Sequence, residues 1–148
     1  MFLYASSLDA YLCYNPSTRE FSFETFDDIH RSLAEHETYE WEHWDMIHRD
    51  EKNYIVYHFP GGQTVYLCCI FSIKDVPNFC SRLCFTTKPT IVEFEIQHDW
   101  LVIKHLGDVY YFVPNKSTPH FQMKKELNTE EAEQARMEMI CMLPHHLK

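Results

Sequence analysis

The chain of 148 residues carries a net charge of −9 and is 45% hydrophobic and 16% aromatic. This abundance of core-forming side chains excludes a disordered protein, and the length suits one domain. The negative charge argues against direct nucleic-acid binding, which normally requires a basic surface. The longest apolar stretch, residues 64–73, is far shorter than the ~20 residues of a membrane-spanning helix, and the N-terminus lacks the basic start of a secretory signal.

The first third of the chain predicts short strands followed by a helix. One or two strands are expected within residues 2–14, before an Asn-Pro turn, and another within residues 19–23. Thr25 is a suitable helix N-cap, because the two aspartates near it lie where the helix dipole favours negative charge. Apolar residues then recur at helical spacing, so we predict a helix that ends near His36.

Residues 39–49 fit two structures. The alternation of aromatic residues and histidine with glutamate is typical of a strand, whereas the spacing of Trp41 and Trp44 is typical of a helix. We favour the strand. The next two segments, 53–59 and 64–73, are rich in β-branched and aromatic residues and flank the turn sequence Pro-Gly-Gly-Gln, so they predict a β-hairpin.

A helix is expected to follow the hairpin, with Asp75 as its cap and a proline in its first turn. Its buried stripe is predicted to consist of Val76, Phe79, Cys80 and Leu83. A Lys-Pro pair then ends this helix. The segments that follow alternate in polarity and are separated by turn residues, so they predict a three-strand antiparallel meander within residues 90–97, 100–105 and 109–113.

A polar connector over residues 114–127 precedes the last predicted helix. Asn128 and Glu131 have the spacing of a capping box. The apolar face of this helix is predicted to consist of Met137, Ile140 and Cys141. Taken together, the elements predict a single α+β domain over residues 1–148, in which a few helices, two or three, cover one curved antiparallel sheet of about six to eight strands.

Residue patterns that indicate a cofactor are scarce. With three glycines, the chain has no phosphate-binding glycine loop and no nucleophile elbow, so we predict no cofactor and no catalytic residue.

The six cysteines are expected to be reduced thiols, most of them in the core. Cys80 and Cys84, four residues apart on the predicted helix, are compatible with half a metal site, but two buried thiols are the favoured interpretation.

Charge is concentrated between Glu24 and Glu51. This segment has ten acidic and two basic residues, so it carries −8 of the net −9, and it contains two of the three tryptophans. A negative field of this kind attracts cationic surfaces, and aromatic side chains within it can anchor a contact. The partner-binding residues predicted here are Glu37, Glu40, Trp41, Glu42, Trp44 and Asp45. The competing interpretation is a solvated acidic face whose tryptophans point into the core.

The histidines of the chain suggest a metal or catalytic site as the alternative to partner binding. Four of the ten histidines lie in the acidic segment, and imidazole and carboxylate are ligands of zinc, manganese and iron. Their spacing matches no ligand motif, so we predict no metal. A histidine beside a carboxylate, as at His98 and Asp99, can act as a general base, but this pair lies in a predicted turn, where aspartate is common.

The sequence therefore favours a small, cytoplasmic, non-enzymatic binding protein of the inhibitor, immunity or host-antagonist type. Its acidic aromatic segment is expected to dock on a basic surface of another protein, without contact to nucleic acid or membrane. The alternative is a hydrolase-like enzyme domain that binds a small molecule or metal in a sheet-lined pocket with inward-facing His43, His98 or His105. A homo-oligomer joined through aromatic residues at an exposed strand edge is a third hypothesis.

Overall fold

The structure, a computed structural model, describes residues 1–36, 38–72, 79–116 and 120–143. Within these ranges the chain is mostly β, with twelve strands and two helices. The strands are β1 (Phe2–Ala5), β2 (Ala10–Asn15), β3 (Glu20–Glu24), β4 (Trp44–Arg49), β5 (Lys52–His58), β6 (Thr64–Ser72), β7 (Phe79–Thr86), β8 (Glu93–Gln97), β9 (Trp100–His105), β10 (Asp108–Val113), β11 (His120–Lys124) and β12 (Met137–Ile140). The helices are α1 (Phe26–Ala34) and α2 (Thr129–Gln134). Neither of these helices has the length and apolar character that a membrane crossing requires.

The strands form three antiparallel groups of four. The strand order is β12-β1-β2-β3 in the first group, β4-β5-β6-β7 in the second and β11-β10-β9-β8 in the third. The second and third groups are joined edge to edge, because residues 79–82 of β7 pair with residues 120–123 of β11. The first group is connected to both of the others, through a hydrogen bond from Trp44 N to Met1 O at 3.0 Å and another from Met137 N to Asp99 O at 2.8 Å.

The predicted fold class, one curved sheet of about six to eight strands covered by helices, is wrong. The described chain has twelve strands in three groups of four, and its two helices are only nine and six residues long. Two segments expected to be helical are strands, β7 and β12, and β11 lies within the expected polar connector. The start of the predicted helix at residues 74–78 lies outside the described residues. The α+β class is therefore replaced by a mainly β architecture.

Long-range pairing explains these errors. β7 is paired on both sides, with β6, the strand before it, and with β11, which is distant in sequence, so its backbone groups are satisfied along both edges. β12 pairs with β1, from Phe2 opposite Ile140 to Ala5 opposite Met137. Within β12 the buried Met137 is followed by the exposed Glu138, which is the alternation of a strand. A short apolar segment fits helical and strand spacing alike, and its neighbours in space decide between them.

Other predictions are confirmed. α1 begins after Thr25, whose hydroxyl accepts a hydrogen bond from Asp28 N. β5 and β6 form the expected hairpin, and β8, β9 and β10 form the expected meander. The strand favoured over residues 39–49 is confirmed in its second part, as β4, whereas residues 39–43 form no strand beyond an isolated bridge at Glu40. Asn128 and Glu131 form the capping box, although α2 ends at Gln134.

The main core lies between the three groups of strands, and each group contributes to it. Its largest fully buried side chains include Trp44, Tyr57, Phe23, Phe94, Phe112 and Phe121. Burying an apolar side chain of this size stabilises a fold by about 1.5–3 kcal/mol. A second, smaller cluster holds α1 against the first group and consists of Tyr11, Cys13, Ile29 and Trp41.

Candidate functional site

The acidic segment, residues 24–51, runs from the end of β3 through α1 and a connecting stretch to the tip of the β4–β5 hairpin. All of its described carboxylates reach the surface at least in part. Those on exposed residues are Asp27, Glu35, Glu42, Asp50 and Glu51. Glu37, predicted as a partner-binding residue, lies outside the described residues. The negative charge of this segment is therefore on the outside of the molecule.

Few of these acids are neutralised by bases. Arg31 lies 3.4 Å from Asp28, one turn earlier on α1, and His58 lies 3.3 Å from Asp45 across the β4–β5 pair. Within the described ranges, no other carboxylate of the segment forms an ion pair. Exposed pairs such as these two contribute little stability and leave the local potential negative.

Glu40 has a structural role that the sequence analysis did not predict. Its carboxylate accepts a hydrogen bond from the Tyr57 hydroxyl at 2.9 Å, and this hydroxyl accepts one from Glu42 N at 3.2 Å. Burial, and next the nearby charge of Glu40, raise the pKa of Tyr57 well above its usual value. Backbone hydrogen bonds in both directions, each 2.8 Å, connect Glu40 with Tyr14 of β2. Glu40 therefore fixes the stretch before β4 between two groups of strands.

The two tryptophans of the segment are core residues. Trp41 is 7% exposed and Trp44 is 1% exposed. Trp41 contacts Phe2 with ring centroids 4.8 Å apart, beneath α1, and Trp44 contacts Tyr57, its partner in the β4–β5 register, at 5.0 Å. The prediction that these indoles are surface anchors is corrected by their burial, because a ring enclosed on all sides cannot contact a partner. The competing interpretation, with the tryptophans pointing inward, agrees with the structure.

β4 is a terminal strand, and the alternation of its hydrogen bonds defines which of its groups face outward. His58 N donates to His43 O at 3.0 Å, just before β4 begins. Since hydrogen-bonded and non-hydrogen-bonded pairs alternate in an antiparallel ladder, Trp44, Met46 and His48 direct their backbone groups away from β5. β4 pairs with no other strand in the sheet order of the described residues. This strand therefore presents an open edge.

Part of this edge is already occupied within the chain. The N-terminal amine of Met1 donates to Trp44 O at 2.9 Å, and Trp44 N donates to Met1 O at 3.0 Å. Met46 N donates to the carboxylate of its neighbour Asp45 at 2.9 Å. The outward groups that remain are the Met46 carbonyl and the amide and carbonyl of His48. In the part of the chain that the structure describes, these three groups have no backbone partner.

Two acids form the tip of the β4–β5 hairpin. Arg49 pairs with Lys52, so the loop consists of Asp50 and Glu51 alone. Both have positive φ, 54° and 64°, as a type I′ turn requires, although asparagine and glycine are the residues that favour such a turn. The turn projects two exposed carboxylates from the end of the open strand. The open edge and the acids of the hairpin thus lie together.

The histidines do not form the inward-facing site of the enzyme hypothesis. His43 and His98 are exposed, and His105 is half-buried on β9. His98 lies at the tip of the β8–β9 hairpin with φ of 56°, and the next residue, Asp99, binds Arg136 at 3.1 Å. The His98–Asp99 turn is therefore a structural connection to β12. No group of three metal-ligating side chains is present in the described ranges.

The cysteines are arranged differently from the prediction. Cys80 and Cys84 lie on β7, where residues four apart are separated by about 13 Å, too far for a shared metal. The strand register places Cys84 opposite Cys68 of β6 instead. Sequence reasoning missed this pair, because the register of β6 and β7 is not readable from either segment alone.

Comparison of the chain with protein-family models, with curated proteins and with solved structures found no match in any of the three.

Proposed function

We propose that this chain is a small non-enzymatic binding protein of the inhibitor, immunity or host-antagonist type, whose acidic surface docks on a basic surface of a partner protein. The observation that carries the proposal is the open edge of β4 beside acids that have no lysine or arginine partner among the described residues. An open edge is a template for pairing with another chain, and the charge selects which chain.

The part of the partner that contacts β4 is an extended basic segment. A strand added to a sheet edge is held by main-chain hydrogen bonds, and the outward groups of Met46 and His48 are placed to form them. Lysine or arginine side chains of the added strand then lie near Glu42 before β4 and near Asp50 and Glu51 after it. β4 has six residues, so the added strand is about 20 Å long.

The buried tryptophans serve this surface indirectly. Trp44, the first residue of β4, is enclosed in the core, and Trp41 is fixed between α1 and the first group of strands. Both hold the backbone of the segment in place, so the edge is formed before a partner arrives. A preformed edge loses less conformational freedom on binding than a flexible acidic tail does.

The test uses a synthetic peptide of alternating lysine and valine, labelled for fluorescence anisotropy. We expect it to bind the full chain, and we expect binding to weaken as salt is added, since salt screens exposed charges. The same peptide with glutamate in place of lysine is the matched probe and should not bind. Equal binding of both peptides would show that charge plays no part.

Two variants separate the contribution of the acidic side chains to peptide binding from that of the open β4 edge. Replacing Asp50 with Asn and Glu51 with Gln should slow association, whereas replacing the exposed Glu126, before α2, and Glu130, in its first turn, with Gln should not. His48→Pro removes an outward amide at a position where an edge strand tolerates proline, and it should weaken peptide binding about tenfold. If neither change affects binding, the peptide is not held at β4. Thermal melts of each variant confirm that it is folded.

A second copy of the chain is the competing occupant of the edge. Two β4 strands paired about a twofold axis bring like charges together, which disfavours the dimer. Sedimentation velocity over a range of protein concentrations distinguishes the two cases. A dimer that His48→Pro abolishes assigns the edge to self-association and rejects the proposal.

A further inference from the structure

A pair of thiols lies on neighbouring strands outside the acidic segment. Cys68 of β6 is directly opposite Cys84 of β7 in the antiparallel register. Directly opposite residues have Cα atoms about 4.5–5.5 Å apart, which is within the range of about 4.4–6.8 Å found for disulfide-bonded cysteines. Both are free cysteines in the structure. The backbone therefore already has the separation that a bond between the two sulfurs needs.

The two side chains contact each other. The largest of the contacts that shift the Cys68 thiol is a hydrogen bond with Cys84, and one with Thr90 adds to it, while the Cys68 thiol itself donates to the Cys69 carbonyl oxygen at 3.8 Å. The first and largest of these contacts lowers the pKa of Cys68 and raises that of Cys84, since Cys84 must keep its proton to donate it. Cys68 is thus the nucleophile of the pair, and Cys84 lies next to it.

Solvent reaches this pair. Both residues are only partly buried, whereas Cys13 and Cys69 are buried. Two residues farther along the same face, the exposed Ile70 and Arg82 are opposite each other. A hollow of about 180 Å³ beside Cys84 is lined in part by these two side chains and by Phe21. A small reagent therefore has a route to Cys84 through this hollow, and the partly exposed Cys68 lies opposite it.

We propose that Cys68 and Cys84 are a redox-sensitive dithiol that closes a reversible disulfide between β6 and β7 by exchange with a small-molecule disulfide. The thiolate of Cys68 attacks one sulfur of the small disulfide, which releases one small thiolate and leaves a mixed disulfide on Cys68. Cys84 then gives up its proton and attacks the Cys68 sulfur, which releases the second small thiolate. In total the protein loses two electrons and two protons, and the small disulfide gains them as two thiols.

This site is independent of the proposed binding function, because neither cysteine lies in residues 24–51 or on β4. The bond links two strands in the second group, and a link between strands constrains the unfolded chain more than the folded one. The oxidised protein is therefore expected to melt at a higher temperature than the reduced protein, and dithiothreitol is expected to reverse the change.

The experiment treats the reduced full chain with oxidised glutathione, followed by intact mass and peptide mapping without reduction. We expect the loss of two hydrogens and a peptide pair that joins Cys68 to Cys84. In Cys84→Ser, the second attack is not possible, so glutathione should remain attached to Cys68. Cys141→Ser removes an exposed thiol elsewhere and is the matched control, which should form the linked pair like the unaltered chain.

Mapping of the unaltered chain decides the outcome even if a variant fails to fold. Glutathione found only on Cys141, or a disulfide that joins either cysteine to a different residue, overturns the proposal. The same holds if Cys68 and Cys84 stay reduced while dithiothreitol-reversible glutathione adducts form on other cysteines.

Discussion

The indole Nε1 of Trp44 donates a hydrogen bond to the main-chain oxygen of Leu12 over 3.1 Å. Trp44 begins β4 and Leu12 lies within β2, so this bond connects the second group of strands to the first. Both residues are fully buried, and solvent therefore does not compete for the donor or the acceptor. A tryptophan that sequence reasoning assigned to the surface is thus one of the connections between the groups of strands.

Replacing Trp44 measures the strength of this connection. Trp44→Phe keeps an aromatic ring but removes the donor, so we expect the free energy of unfolding to fall by about 1–3 kcal/mol. Trp44→Ala also leaves a cavity and should cost about 3–5 kcal/mol. Urea denaturation followed by circular dichroism gives both values. Trp100→Phe is the matched control, because Trp100 donates to Ala132 O at 2.8 Å but is only partly buried. An equal loss at both positions contradicts a special role of Trp44.

Tyr11 contrasts with Trp44, whose buried donor is paired. Its hydroxyl is buried and has no hydrogen-bond partner in the described part of the chain. An unsatisfied buried hydroxyl costs free energy, so Tyr11→Phe should leave stability unchanged or raise it by about 1 kcal/mol. Tyr57→Phe, by comparison, removes the hydrogen bonds to Glu40 and Glu42 and should lower stability by about 1–2 kcal/mol. Urea denaturation of both variants tests this difference, and a clear loss of stability in Tyr11→Phe contradicts it.

Elements governed by local contacts were predictable from the sequence. The N-cap Thr25, the hairpin of β5 and β6 and the capping box at Asn128 depend on residues a few positions apart. β7 and β12 each depend on a partner far along the chain, β11 and β1, so their apolar spacing was mistaken for a helix. A residue pattern reports the face that a segment buries, but it does not report which strand lies beside it.

The candidate site was predictable only in its charge. Counting acids located the segment and its sign, and the structure places its described carboxylates at the surface. The burial of Trp41 and Trp44 depends on packing against residues in β1, β2 and β5, which the local sequence does not contain. The open edge of β4 and the pairing of Cys68 with Cys84 follow from strand order and register, so no local signal identifies them.

The backbone conformation of the β9–β10 turn indicates that a substitution at this turn will stabilise the fold. His105 pairs with Asp108, so the loop is Leu106 and Gly107, both with positive φ, and Leu106 is 78% exposed. Leucine is strained in this conformation, whereas asparagine followed by glycine is favoured, so Leu106→Asn should raise the free energy of unfolding by about 1 kcal/mol. The exposed Val109 on β10 gives the control: Val109→Asn should destabilise, since asparagine is disfavoured in strands. Thermal and urea melts check both, and a less stable Leu106→Asn refutes the turn assignment.

The thiol pair predicts a pH dependence that is measurable without oxidation. The contact with the Cys84 thiol first, and then those with Thr90 and the backbone of Cys69, lower the pKa of Cys68 from 9.0 to about 6. Alkylation of Cys68 by iodoacetamide, followed by peptide mapping, should therefore reach its full rate near neutral pH. Cys84→Ala removes the main donor and should move the midpoint toward that of an ordinary cysteine, whereas Cys84→Ser keeps a donor and should move it less.

The pair of Cys68 and Cys84 also determines whether the stability of the fold rises or falls with pH. Between the lowered pKa of Cys68 and the usual value of 9.0, the unfolded chain holds a proton on Cys68 that the folded chain has released, so this residue adds stability as pH rises. Above that range the unfolded Cys84 ionises while the folded Cys84 keeps its proton, so stability falls again. The difference in urea stability between the unaltered chain and Cys84→Ala should follow this rise and fall. A difference that stays constant from mildly acidic to alkaline pH contradicts a shared proton between Cys68 and Cys84.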